Sequence, residues 1–154
     1  MRVRALAISY NQVAVFLSTL KEPFNNWTDL HVKQGFAWRP GSVSFATLEE
    51  VGLVDVEVVR QPVDTQSSDA ERIIVVPFEV DDSGRVEIAS IADSEPISLP
   101  PGNYRLTFEH GHKHGGMWCR FSFEPVPIIV PAEIVKADAG LAPSKPLIME
   151  AHPA

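Results

Sequence analysis

Three observations predict an all-β fold, an antiparallel β-sandwich of jelly-roll type with one short helix near residues 28–34. Apolar residues alternate with polar ones through 53–58 and again through 85–91, the period of a half-buried strand. Turn sequences, Arg39-Pro40-Gly41, Asp81-Asp82-Ser83-Gly84 and Pro100-Pro101-Gly102-Asn103, separate apolar runs at short intervals. Helix boundary signals occur together only once, from Thr28 to Gly35. Six or more strands of this kind bury their apolar faces by packing as two sheets.

Each element has its own warrant. Residues 4–17 are rich in β-branched and aromatic side chains and make one strand or two. Thr28 or Asp29 caps a short helix through Lys33, and Gly35 ends it in the left-handed conformation. Arg39-Pro40-Gly41 then separates strands at 35–38 and 42–48. Leu53 to Val58 alternates acidic and apolar residues, and Arg72 to Val80 is a longer apolar run. Pro77 lies inside that run, so the strand is placed at a sheet edge or bulged there, because proline gives no donor to the ladder. Asp81 to Gly84 reads as a hairpin turn into Arg85–Ile91, and strands at 104–109 and 117–123 follow. The interval 61–71 is polar and reads as a mobile loop.

Length and composition fit one domain. A chain of 154 residues with 45% hydrophobic and 21% charged residues buries a substantial core. The sandwich is assigned to 1–137. Residues 138–154 are rich in Ala, Pro and Gly without periodicity and read as a flexible C-terminal tail. Met1-Arg2-Val3-Arg4 resembles the start of a signal peptide, but Ser9-Tyr10-Asn11-Gln12 interrupts the apolar run too early. No apolar stretch approaches the roughly 18 residues of a membrane span, so the expected location is cytoplasmic, with no membrane insertion. Cys119, the single cysteine, excludes an internal disulfide and reads as a buried thiol.

Charge is the strongest physical clue to the partner. Residues 1–40 carry +3, residues 41–110 carry −10, and residues 111–154 are neutral, for a total of −7. Such a chain repels phosphates, which argues against direct nucleic acid binding. An acidic surface instead suits a basic partner, with long-range attraction speeding the encounter.

A spaced constellation runs through the same region: Ile8-Ser9-Tyr10-Asn11-Gln12, Trp27-Thr28-Asp29, Gly35-Phe36, Val43-Ser44-Phe45, Val76-Pro77-Phe78-Glu79-Val80, Gly84 with Val86-Glu87-Ile88, and Leu99-Pro100 with Gly102, Tyr104, Leu106 and Thr107. From about residue 6 to residue 108 this resembles the competence protein J family, inhibitors of the DNA-entry nuclease. The resemblance implies a protein that is not an enzyme, needs no cofactor and blocks a cognate DNA nuclease by binding it. The implied nuclease degrades incoming DNA during competence. A close variant is an immunity protein that protects its maker from its own nuclease toxin.

Candidate contact residues follow from charge and residue type. The acidic face is assigned to Asp55, Glu57, Glu79, Asp81 and Asp82, and Trp38 beside its turn is the candidate aromatic contact. Trp27 reads as a core anchor and Trp118 as half-buried in a strand. His110, His112 and His114 alternate in a glycine-bearing stretch read as a loop. They are weak metal candidates, because no cysteine pair or carboxylate shares their spacing. No metal site and no catalytic residue is assigned. The alternative function is a small-ligand or carbohydrate-binding sandwich that uses the 110–114 loop and Trp38.

Overall fold

Alternation along the chain places every second side chain of the longer strands between two packed sheets. The structure, a computed structural model, describes residues 2–154. In chain order its elements are β1 (Arg2–Ile8), β2 (Gln12–Leu17), α1 (Asp29–Gln34), β3 (Phe36–Arg39), β4 (Ser42–Ala46), β5 (Gly52–Val59), β6 (Arg72–Val80), β7 (Arg85–Ala89), β8 (Ser94–Ser98), β9 (Gly102–Lys113), β10 (Gly116–Pro125) and β11 (Glu133–Lys136). One sheet has the order β1-β5-β10-β9-β6-β11 and the other β3-β4-β2-β7-β8. The all-β sandwich with its single short helix is as the sequence predicts, with one parallel pair, β5 with β10, among antiparallel neighbours.

The helix shows how local chemistry sets a boundary. Thr28 is the N-cap, its hydroxyl accepting from the His31 N–H while His31 reaches back to the Thr28 amide. Gly35 closes the helix at φ 85°, a left-handed conformation that favours glycine, and a β-carbon there would meet Leu141 at 2.8 Å, so the Leu141 side chain would have to shift for any larger residue.

Apolar side chains from both sheets meet in one core. Phe45 stacks on Phe108 with ring centroids 4.4 Å apart, and Phe121 packs against both. Cys119 lies in this core, where burial pushes its thiol up, away from the reactive thiolate. The outer face of β2 is covered as well, with Ala14 and Phe16 packed beneath Leu20 and Phe24. Trp27, expected as a core anchor, is half-buried outside this core, its indole N–H 3.3 Å from the Gln12 side-chain oxygen.

Several connections cross between the sheets. The Tyr10–Asn11 turn joins β1 to β2 in opposite sheets, so the apolar stretch at 4–17 is two strands. The Asp81–Gly84 turn is formed, with the Gly84 N–H donating to the Asp81 carbonyl at 3.0 Å. It is not a hairpin, because β6 and β7 belong to different sheets. Pro77 sits where β6 has outrun its short outer neighbour: β11 pairs only with Ile73 to Val75, which leaves the edge beside Pro77 free of a ladder partner. Residues 60–71 cross from β5 to β6 over the outer face of β10 and β9 and cover Glu109, which accepts from the Ser68 hydroxyl at 2.7 Å.

Residues 138–154, for which composition predicts a flexible tail, lie back along α1. Leu141 enters the core, and the Ala142 N–H donates to the Lys33 carbonyl. The Gln34 amide bonds both ways with the Ile148 backbone, and Asn25 bridges to Pro153. Scattered contacts hold the segment, backbone hydrogen bonds at Ala142, Ile148, His152 and Ala154 together with apolar packing of Leu141, Leu147 and Met149, and these depend on distant partners that composition does not reveal. Its anchor is Asp138, which accepts from Arg72 at 2.6 and 3.0 Å, while the third guanidinium nitrogen donates to the Ala46 carbonyl at 2.8 Å.

Burial raises the Asp138 carboxyl, but the bonds from Arg72 and from the Gly140 N–H outweigh it and leave the group below its ordinary value. Its contribution is therefore present above the unfolded carboxylate pKa of about 3.9 and is lost as pH falls below that range. Arg72→Met, which leaves the Asp138 carboxylate with the Gly140 N–H but no cation and the Ala46 carbonyl without its guanidinium donor, should destabilise the fold by about 3 kcal/mol in urea denaturation at neutral pH. A variant as stable as wild type would show that the clamp contributes nothing.

Candidate functional site

The sequence candidates separate into two patches on the folded chain. Trp38 projects from the edge strand β3 towards β6, and its indole N–H donates to the Pro77 carbonyl at 2.7 Å. This fixes the ring, half-buried, as one wall of an open groove of about 430 Å³ lined by Leu17, Pro40, Phe78, Tyr104 and Ile129 and rimmed by Glu79 and Asp81. Hydrogen bonds from the Ser83 and Thr19 hydroxyls hold the Asp81 carboxyl below its ordinary value. Asp82 is exposed beside it. The first patch is thus apolar walls with an anionic rim.

Asp55 and Glu57 lie elsewhere, on the outer face of β5, because residues two apart on a strand share a face. Here most of the charge is matched. Asp55 pairs with Lys113, and Arg120 stands between Glu57 and the fully buried Glu109 at 3.3 Å from each. The Arg120 guanidinium also lies 5.8 Å from the ring centre of half-buried Trp118. Asp55 and Glu57 therefore share a lined depression with Asp69, His112, Lys113 and Trp118, in which anions and cations alternate. The run of acidic residues in the sequence does not fold into one acidic patch.

The three histidines do not converge. The stretch read as a loop is instead the end of the β9–β10 hairpin, with β9 continuing to Lys113 and β10 starting at Gly116. His110 is a core residue: Nδ1 is 2.8 Å from the Trp118 carbonyl, and Nε2 accepts from the Leu48 N–H at 3.0 Å. Those two bonds assign a neutral ring with its proton on Nδ1, and burial pulls its pKa down to about 4. His112 pairs with Glu71 at 3.0 Å, and His114 is exposed at the turn. Among the described residues no group of three or more potential ligands is placed to hold a metal ion. Trp38 and the histidines do not form one site either. Pro77, under Trp38, pairs with Arg105, seven residues before His112 on β9, a separation of roughly 23 Å along a strand.

Sequence reasoning gave no role to the turn at Tyr10. Tyr10 and Asn11 both have left-handed backbone, φ 57° and 58°, and Tyr10 is 78% exposed. Asn11 ties this turn to the β4–β5 connection: its N–H donates to the Glu50 carbonyl at 3.0 Å, its carbonyl accepts from the Thr47 N–H, and its side chain accepts from the Thr47 hydroxyl, both at 3.1 Å. Tyr10 shares a shallow groove with Glu50 and Val51. A Tyr-Asn pair between two apolar runs was the available signal, since Asn tolerates the left-handed region.

No helix among the described residues is long and apolar enough to cross a membrane. Residues 5–124 match the family of competence protein J (ComJ). A DNA-entry nuclease inhibitor of Bacillus subtilis (strain 168) is 31% identical over 103 residues, 66% of this chain and 76% of that protein. Among solved structures, ComJ from Bacillus subtilis, described as an inhibitor of the DNA degrading activity of NucA, shares the fold with a TM-score of 0.67 at 24% identity, over 80% of this chain and 94% of that one. The product of crocagin biosynthetic gene J shares it with a TM-score of 0.55 at 15% identity, over 79% and 94%.

His110 carries a pH signature. A base whose folded pKa is lowered stabilises the fold fully above its unfolded pKa of about 6.5, and the contribution falls away as pH drops towards 4. Between pH 7 and 4.5 the chain should lose roughly 2–3 kcal/mol from this group, read by urea denaturation across pH. His110→Phe should flatten that part of the profile, and an unchanged slope would assign the loss to other groups.

Proposed function

Because this chain belongs to the competence protein J family, we propose that it inhibits a cognate DNA nuclease by binding it as a folded protein, with no reaction and no cofactor of its own. The observation that carries the reading is its likeness to the DNA-entry nuclease inhibitor, which spans most of both chains. The physics supports it. A nuclease presents a basic cleft to hold DNA, and a protein of net charge −7 is drawn to such a cleft. We place the protein in the cytoplasm, either guarding incoming DNA or conferring immunity to a nuclease of its own maker.

The proposed contact set is Trp38, Asp55, Glu57, Glu79, Asp81 and Asp82, weighted by how each charge is already used. Asp55 and Glu57 have cationic partners within the chain and present little net field. Glu79 and Asp81 rim an apolar groove with Asp82 exposed beside them; Asp81 accepts from the neutral Thr19 and Ser83 hydroxyls, so its negative charge remains available to a partner's cations. Rim charges act mainly on association, since Coulomb attraction operates before the surfaces touch.

Titrating the DNA nuclease encoded nearest to this gene with purified protein should give stoichiometric loss of DNA cleavage, with association slowing as salt rises. The Asp81→Lys, Asp82→Lys double variant should fold normally, associate more slowly and show a flatter salt dependence. An unchanged association rate would remove that turn from the interface. Untouched cleavage by wild type would overturn the inhibitor reading.

A further inference from the structure

The turn between β1 and β2 is built at a conformational cost that its surroundings do not explain. Left-handed backbone is disfavoured for a residue with a β-carbon, and most of all for a bulky one. Glycine or asparagine would serve at position 10, yet tyrosine occupies it, and the side chain returns nothing to the core: it is 78% exposed. Strain of this kind persists where surrounding structure holds it, and here the bonds of Asn11 to Thr47 and Glu50 do so. The result is an aromatic ring displayed on a rigid mount.

Its neighbourhood has the composition of an interface centre. Val51 is 66% exposed and Leu53 56%, the latter opposite Ala7 on the neighbouring strand. Glu49 and Glu50 flank them, and Asp55 continues the same face of β5. An exposed aromatic with aliphatic neighbours inside a ring of polar groups is the pattern of a binding hot spot. The carboxylates choose the occupant. A second copy of this chain would bring Glu49 and Glu50 against their own counterparts, whereas the basic cleft of a DNA nuclease would pair with them.

We infer that Tyr10 is the aromatic anchor of the nuclease contact, flanked by Val51 and Leu53 and rimmed by Glu49 and Glu50; this rests on the inhibitor function proposed above. The anchor acts after encounter, so it governs how long the complex lasts. The surface adjoins the Asp55 patch and lies at the other end of the sandwich from the Trp38 groove, so Tyr10 makes the close contact while Glu79, Asp81 and Asp82 act on encounter through long-range attraction.

Tyr10→Gly separates this role from a structural one, because glycine relieves the left-handed strain and removes only the displayed ring. With the DNA nuclease encoded nearest to the gene, wild type should inhibit stoichiometrically. Tyr10→Gly should keep the wild-type thermal midpoint or exceed it, associate at a similar rate, and bind roughly 30-fold or more weakly through faster dissociation. Affinity within about threefold of wild type would overturn the anchor while leaving the inhibitor reading intact. Weaker binding with a collapsed midpoint would also overturn it, assigning Tyr10 to the fold. Failure of wild type itself to inhibit would overturn the underlying function.

Discussion

A single buried guanidinium organises the end of the sandwich where most of the chain's crossings meet. Arg72 opens β6, yet its side chain reaches across to the last residue of β4 in the other sheet and to Asp138 near the end of the chain. Burying a cation this deeply is tolerable only when its N–H donors are matched, and a planar fork matches a carboxylate and a carbonyl better than a lysine can. Beside it, in register on β9, His110 takes the Leu48 N–H. Asn11 then holds Thr47 and Glu50. Three side chains from three strands or turns thus fix the connection 46–50. The rigidity of the Tyr10 turn is inherited from these polar bonds, not from apolar packing.

What was legible in the sequence is what local chemistry decides. The helix from Asp29 to Gln34 with Thr28 and Gly35 as caps, the turn at Pro40-Gly41, and the strands at 53–58 and 72–80 are each dictated by residues close in sequence. What escaped is set by distant partners. Whether Asp81–Gly84 closes a hairpin or carries the chain between sheets depends on which strand waits at the far side. β8 was not foreseen because Pro96 interrupts it, and an edge strand bonded only to β7 tolerates that. Trp27 was read from its residue type, but its surroundings leave it half-exposed.

The candidate site followed the same division. Trp38 with Glu79 and Asp81 does converge, since β3 and β6 face each other across the sandwich edge. Asp55 and Glu57 were chosen for charge, and sequence cannot reveal that Lys113 and Arg120, about sixty positions away, neutralise them. The histidine triplet suggested a ligand set only while it was read as a loop. As paired strand, alternate residues pass from the core into solvent, and His110, His112 and His114 meet three different environments.

The weaving of the chain has a consequence for its divisibility. Residues before the 60–71 crossing supply β1 and β5 to one sheet and β2, β3 and β4 to the other; residues after it supply the remainder of both. The β5–β10 and β2–β7 pairings span that crossing, so each sheet is completed only by both portions. Divided there, neither portion has a closed core to fold around, and each would present the other with two bare strand edges and an unfinished apolar layer. The molecule is in effect two interlocked halves, and reassembly of separated fragments would restore the whole sandwich or nothing of it.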